Sequence, residues 1–191
     1  MVEQAQLEEV GSGLAPASDG WFVVNAAETG WVRNDVFGGR GYFESNPRVL
    51  VERPDLEPHM FPDIGYTLAV LEPRKPSGMY HAESRQEDFL VLSGECLLVI
   101  EEEERQLRAW DFVHCPAGTN HIFVGTGDAP CVIFMIGARG EGKTIRYPRS
   151  DTALARGAGV ETETSSPAEA YGPLPKWRLG RPDAWDVLPW A

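Results

Sequence analysis

Four side chains in two short stretches are of the types that bind metal ions. His81, Glu83 and Glu87 lie in the stretch MYHAESRQEDFLVLSG, and His121 lies in the stretch WDFVHCPAGTNHIFVG. His81 and Glu83 are two residues apart, so they share one face if they lie on a strand. Imidazole nitrogens and carboxylate oxygens together suit a divalent first-row metal. The two stretches therefore predict a site for zinc, iron, manganese or nickel, provided that the fold brings His121 to the other ligands.

Glu83 and its neighbours leave the number of ligands open. Glu83 is either a fourth ligand or a carboxylate that hydrogen-bonds Arg85 or Arg105. Gln86 becomes an alternative oxygen ligand if the loop is displaced by one residue. With two imidazoles and one carboxylate, a divalent site carries a net charge of about +1, whereas a second carboxylate makes it formally neutral. A neutral centre is a weaker Lewis acid and attracts an anionic substrate less strongly.

A general acid or base is harder to name than the metal ligands. Tyr80 and His114 are candidates by side-chain chemistry alone, because a base must also lie within hydrogen-bond reach of a substrate. His114 otherwise faces away from the site or supports a ligand through a hydrogen bond. His59, in the loop DLEPHMFPD, is predicted as a surface residue.

The elements that must position these side chains are strands. Short runs rich in Val, Ile, Leu and Phe, each bounded by Gly or Pro, predict them. The runs are YTLAVLEP (66–73), DFLVLSGECLLVIEE (88–102), WDFVHCP (110–116), HIFVG (121–125) and CVIFMIG (131–137), with edge strands predicted in WFVVNA (21–26), GYFE (41–44) and RVLVER (48–53). SGE at 93–95 is typical of a tight hairpin turn. The pattern indicates an all-β fold, an antiparallel sandwich or barrel.

The chain of 191 residues is predicted to form one domain with tails. Residues 1–20 are expected to be a flexible segment, 21–147 the β-barrel, and 148–191 a tail rich in Pro, Gly and Trp. Short helices are predicted in the tail, one after Ser166, because Ser-Pro-Ala-Glu has the spacing of a capping box. The composition of the tail suggests disorder. Its three tryptophans favour packing against the barrel or a second subunit.

The two metal-binding stretches resemble the motifs of the cupin family. The first family motif is Gly, five residues, H-x-H, three or four residues, Glu, six residues, Gly; the second is Gly, five residues, P-x-G, two residues, His, three residues, Asn. Here the order is His81-x-Glu83, three residues, Glu87, six residues, Gly94, and then Pro116-x-Gly118, two residues, His121. The resemblance covers roughly residues 66–137. It implies a small antiparallel jelly-roll barrel, a metal near one mouth and a homodimer.

Four positions depart from the cupin pattern. Glu83 replaces the second His of the first motif, Trp110 and Gly125 stand where Gly and Asn are expected, and Gly78 is a poorly spaced counterpart of the opening Gly. The resemblance implies a metal-dependent oxidoreductase, such as a dioxygenase, or an isomerase that acts on a small polar or aromatic metabolite. Glu83 puts the dioxygenation of acidic substrates in doubt. The alternative is a non-catalytic cupin that binds a sugar-like molecule with a structural metal or none.

Charge and composition narrow the partners. The chain has 17 basic and 29 acidic side chains, a formal net charge of -12, which disfavours nucleic acid and membrane surfaces as partners. The amino terminus lacks the features of a secretory signal, so a cytoplasmic location is expected. Three widely spaced cysteines suggest neither a disulfide framework nor a thiolate zinc site.

The stretch GARGEGKT (137–144) matches the G-x-x-x-x-G-K-[ST] pattern of a phosphate-binding loop. Such a loop needs a helix directly after it, whose amino end faces the phosphate. Here Ile145-Arg146-Tyr147-Pro148 follows, which is extended in character and ends in a proline. We therefore interpret the match as accidental and the stretch as a mobile, glycine-rich exit from the last strand of the sheet.

Overall fold

The computed structural model of the protein describes residues 1–52 and 61–191. The prediction for His59 falls outside these residues. Within them the strands and helices are, in chain order, β1 (Leu7–Glu9), β2 (Leu14–Pro16), β3 (Gly30–Asn34), β4 (Gly38–Tyr42), α1 (Pro47–Glu52), β5 (Ile64–Leu71), β6 (Ala82–Glu83), β7 (Glu87–Ser93), β8 (Glu95–Ile100), β9 (Glu103–Arg108), β10 (Phe112–Cys115), β11 (His121–Gly125), β12 (Cys131–Ala138), β13 (Ile145–Arg146), α2 (Asp151–Ala155), α3 (Pro167–Tyr171), β14 (Arg178–Leu179) and a 3₁₀ turn (Trp185–Val187).

Two antiparallel sheets form the body of the fold. The larger has the strand order β10-β7-β12-β5-β4-β3-β14, and the smaller has the order β11-β8-β9. Their inner faces supply one apolar core, in which Phe89 and Val91 of β7 meet Leu98 of β8 and Phe123 of β11. Period-two alternation produces this arrangement, since every second side chain of a strand faces the core. The prediction of an all-β, jelly-roll fold is confirmed.

The outer face of the smaller sheet is covered by the chain around α2. Leu97 and Val99 point away from the main core and pack with Ala153 and Ala158. α2 begins at Ser150, whose hydroxyl accepts a hydrogen bond from the Ala153 N–H at 3.0 Å. Strand β8 is therefore apolar on both faces, which explains its nearly continuous hydrophobic sequence.

The prediction of an edge strand in RVLVER (48–53) is wrong. The residues of this stretch that the structure describes belong to the helix α1, Pro47–Glu52. Asn46 caps it: its side-chain oxygen accepts from the Arg48 N–H at 2.9 Å, and Pro47 occupies the first helical position. WFVVNA is also not a strand. Trp21 makes only an isolated bridge, to Gln4, and Val23 is 82% exposed, so the apolar run has no face to bury.

The two terminal regions pack against the sheets. Residues 1–20, predicted as flexible, contain the β1–β2 hairpin and a buried Val10. In the tail, the rings of Trp185 and Trp190 lie 5.3 and 5.6 Å from the buried Trp31 ring of β3, measured between centroids. Part of the tail therefore packs on the larger sheet of its own chain. No helix among the described residues is long and apolar enough to cross a membrane.

Candidate metal and ligand site

The backbone places two histidines side by side. His81 precedes β6 and His121 begins β11, and the two residues form an antiparallel bridge. The His81 N–H donates to the His121 carbonyl at 3.2 Å, and the His121 N–H donates to the His81 carbonyl at 2.9 Å. Paired residues of a bridge point to the same side of the sheet. The imidazole centroids are accordingly only 4.9 Å apart.

A carboxylate completes a cluster of three donors. Glu87 begins β7 in the larger sheet, and its Oε2 lies 3.6 Å from His121 Nε2 and 4.0 Å from His81 Nε2. The three ligand atoms all lie within 4.8 Å of one another. The structure therefore brings together three of the four residues that the sequence predicted as ligands, from both sheets.

The hydrogen bonds of the two imidazoles define which nitrogen is free. His81 Nδ1 lies 2.7 Å from the Met79 carbonyl oxygen, and His121 Nδ1 lies 3.0 Å from that of Thr119. A carbonyl oxygen only accepts, so each Nδ1 carries the proton and each neutral Nε2 presents a lone pair. His121 Nε2 is buried and has no hydrogen-bond partner among the described residues. A buried acceptor without a donor is costly, and a metal ion would satisfy it.

Burial sets the charge of the cluster. It lowers the pKa of both His81 and His121 from 6.5 to about 4. Burial also raises the pKa of Glu87, and the nearby negative charge of Glu83 adds to this effect. Both imidazoles are therefore neutral at neutral pH, which is the form that binds a metal. The chemistry of the donor set fits a divalent first-row ion.

Glu83 and Gln86 have other partners in the structure. Glu83 and the three residues of the cluster line one cavity, where the Lys143 ammonium forms an ion pair with Glu83 Oε2. The contact lacks the angle of a hydrogen bond. The side chain of Gln86 donates from Nε2 to Asp88 Oδ2 at 2.6 Å. Glu83 is not part of the cluster of converging donor atoms, and Gln86 is not among the described residues that line the cavity.

Tyr80 and His114 lie away from this cluster. Tyr80 is buried, and its hydroxyl accepts from the Glu102 N–H at 3.3 Å; burial raises its pKa to about 12. His114, on β10, has a half-exposed side chain whose Nδ1 lies 2.6 Å from Asp88 Oδ1. Neither side chain is among the described residues that line the cavity, so the geometry gives neither of them a route to a ligand there.

The cluster lies in a cavity of about 300 Å³, the inner cavity. Aromatic and aliphatic walls come from residues such as Phe89, Phe123 and Met135. Charged groups that the sequence reasoning missed also line it: Arg40, Glu44, Arg139 and Lys143. Arg139 Nη2 pairs with the buried Glu44 carboxylate at 2.7 Å. Lys143 belongs to GARGEGKT. The only sequence feature that could have indicated its place at the cavity is that this stretch directly follows the strand β12.

Residues 67–137 match the family of the cupin domain. This part of the chain is a cupin domain. The match spans β5 to β12, and so includes every element that supplies His81, Glu87 or His121. A search of curated protein sequences returns no match.

Solved structures similar to this chain include two of named activity. A sugar phosphate isomerase of the cupin superfamily from Silicibacter pomeroyi DSS-3 is 25% identical, with 56% of this chain and 63% of that one covered and a TM-score of 0.45. The polyketide cyclase RemF from Streptomyces resistomycificus is 14% identical, with 63% and 80% covered and a TM-score of 0.50. The chain thus spans less than two thirds of the length of the isomerase. The RemF likeness shows the fold alone.

Proposed function

We propose that the protein binds one divalent first-row metal ion through His81, Glu87 and His121, and that it acts on a small polar or aromatic metabolite in the inner cavity. The observation that carries the proposal is the buried Nε2 of His121, which has no hydrogen-bond partner among the described residues and lies beside a second Nε2 lone pair and a carboxylate oxygen. When Glu87 is ionised, these three groups are all acceptors and repel one another. A cation reverses the sign of that interaction.

Zinc, iron, manganese and nickel all suit this donor set. His81, Glu87 and His121 would hold the ion, and the two Nδ1–H groups, fixed by backbone carbonyls, would keep the imidazoles oriented. The residues would give the centre a net charge of about +1. Glu83 stays outside the ligand set in this proposal, because Lys143 neutralises it.

An enzymatic role is favoured by the small number of protein ligands. Catalytic sites keep positions open for water or substrate, whereas structural sites are closed by protein side chains. When bound, such an ion polarises a carbonyl group or activates oxygen or water. The apolar walls, which include Phe89 and Phe123, would exclude bulk water and orient a substrate ring. We therefore propose metal-dependent oxidoreductase chemistry, such as dioxygenation, or isomerisation.

A non-catalytic role is the second candidate, and Glu83 is the residue that favours it. Its carboxylate lines the same cavity as the three ligands. If it turned from Lys143 to the ion, the site would be formally neutral and closed by four protein groups, as in structural centres. The protein would then bind a sugar-like molecule without chemistry. The number of protein ligands separates the two roles.

Elemental analysis of protein purified without chelators tests the metal proposal. We expect about one ion per chain in the wild type and a loss of at least tenfold in His121→Ala and Glu87→Gln, because two ligands hold a divalent ion weakly. His114→Ala is the matched control: it removes an imidazole bonded to Asp88 outside the inner cavity and should keep the metal. Equal metal content in the wild type and His121→Ala would remove the site.

We also propose that the protein is a homodimer that buries an amino-terminal strand or the tryptophan-rich tail. The tail's Trp185 and Trp190 already pack on the same chain, so a dimer would extend this apolar cluster.

A further inference from the structure

With Glu87 ionised, which is the form that binds a metal, the charges that line the inner cavity cancel. Three carboxylates and three cations are among its described lining residues, namely Glu44, Glu83, Glu87, Arg40, Arg139 and Lys143. The imidazoles of His81 and His121 add no charge to this sum, because an imidazole binds a metal ion as a neutral donor. A divalent ion would therefore leave a positive charge without compensation in a partly enclosed space, where charges interact more strongly than in water. A negatively charged ligand would restore the balance.

Arg40, on β4, is one of the cations that line this cavity. One end of its guanidinium donates from Nη2 to the Ser77 carbonyl, and its Cζ lies 5.1 Å from the centroid of the Trp177 ring. Its Nε is buried and has no acceptor among the described residues. Buried donors are almost always satisfied, by protein or by ligand. A planar guanidinium held in place by stacking suits a carboxylate or phosphate oxygen.

Lys143 lies at the boundary between the inner cavity and a second pocket of about 660 Å³, the outer pocket. Among the described lining residues, the two spaces share only Glu83 and Lys143. The ion pair between these two side chains thus lies between the cluster of His81, Glu87 and His121 and the outer pocket. Lys143 follows Gly140 and Gly142, whose φ angles of +136° and +70° favour glycine and allow a tight turn there.

We infer that the metabolite is a small oxyanion, a carboxylate or a phosphate monoester, whose negative group is held between Lys143 and Arg40 and takes Lys143 from Glu83. This inference rests on the proposed function, which places the metabolite in the inner cavity. Glu83 acts in it as an internal competitor: it holds the lysine until a ligand of the same charge replaces it. Neutral ligands lack the charge to make this exchange.

Three probes that share a phenyl ring and differ in their head group test the inference: benzoate, phenyl phosphate and benzamide. Isothermal titration calorimetry of the metal-loaded protein should give a Kd for at least one anion that is at least about tenfold lower than for the neutral amide, as charged hydrogen bonds contribute more than neutral ones. Whichever anion binds more tightly identifies the head group. Equal Kd values for all three, or no binding by either anion, would overturn the inference.

Two variants separate recognition from a purely structural ion pair. Lys143→Met should weaken binding of the preferred anion about tenfold, and Glu83→Gln should tighten it about tenfold, because the first removes the partner and the second removes its competitor. Lys75→Met is the matched control, since Lys75 is paired with Glu72 away from both spaces and should leave the Kd unchanged. A structural ion pair would instead make both cavity variants weaken binding, which would contradict the inference.

The metal content of each preparation distinguishes the two proposals. Selective anion binding by protein that takes up no ion would refute the metal site and support the roles of Arg40 and Lys143. A loaded site that binds benzamide as well as the anions would refute the oxyanion and leave the metal proposal standing.

Discussion

Acidification of the metal-free protein should destabilise it through the two buried imidazoles of the inner cavity. Burial lowers the pKa of His121 from 6.5 to about 4 in the folded chain. A group with a lowered folded pKa contributes its full stability above the unfolded value and loses it as the pH falls towards the folded value. The sensitive window for His121 is therefore between about pH 6.5 and pH 4.

The magnitude follows from the difference in proton binding. At about pH 5 the unfolded imidazole is mostly protonated and the folded one mostly is not, which costs about 2 kcal/mol for one histidine relative to about pH 7.5. His81 has the same shift and contributes a similar loss. Glu87 acts in the opposite direction, because its raised folded pKa gives stability that is present at low pH and lost as the pH rises. Wild-type protein therefore shows the sum of two losses and one gain.

Urea unfolding of chelator-stripped protein, followed by tryptophan fluorescence at about pH 7.5 and about pH 5, measures this sum. His121→Gln isolates one imidazole, since His81 and Glu87 are present in both proteins. The variant should lose about 2 kcal/mol less on acidification than the wild type. The same pH dependence in the two proteins would show that His121 is not held in a neutral form, and the reasoning about its free Nε2 would fail.

Further predictions concern packing and assembly. Leu188→Ala should lower the free energy of unfolding by about 2–5 kcal/mol, because this buried tail residue packs in the Trp31 cluster. Val187 is 70% exposed, so Val187→Ala should change the free energy of unfolding by less than about 0.5 kcal/mol in the same urea titration. Gly41→Ala should cost about 1–3 kcal/mol, since the new Cβ would lie 2.8 Å from the fully buried Trp31 ring; a stability equal to the wild type would contradict the close packing. Light scattering should give twice the chain mass of 21.1 kDa, and a monomer at micromolar concentration would refute the proposed homodimer.

The sequence was most informative where local pattern and tertiary position agree. The apolar runs of β5, β7, β8, β11 and β12 are each bounded by Gly, Pro or a charged turn, so their extents are visible without a structure. The spacing of His81, Glu87 and His121 within two motifs also made their convergence predictable, because both motifs lie on strands that a small barrel brings together.

The errors arose where an apolar run has no buried face or a cap outweighs strand propensity. RVLVER has the composition of a strand, but Asn46 and Pro47 start a helix in front of it. WFVVNA is as apolar as a core strand, yet Trp21 and Val23 are exposed. Whether such a run is buried depends on which distant segment covers it, and that information is not local.

The charged lining of the inner cavity was equally hidden. Arg40 approaches from β4, which is far from either motif in the chain. Lys143 stands in a stretch whose strongest sequence signal was a phosphate-loop pattern, although β13 and not a helix follows it. Its partner Glu83 was predicted as a ligand because strand alternation puts it on the same face as His81. Alternation alone cannot show that a lysine from another segment forms an ion pair with this carboxylate.

The central claim is that one ion is held jointly by His81, Glu87 and His121. Crystals of metal-loaded protein, measured at the absorption edge of the metal, test it directly. The account predicts one strong anomalous peak at about 2.0–2.2 Å from both Nε2 atoms and from a Glu87 carboxylate oxygen. A peak at any other place in the molecule, or a fully loaded protein with no peak between these three side chains, would contradict it.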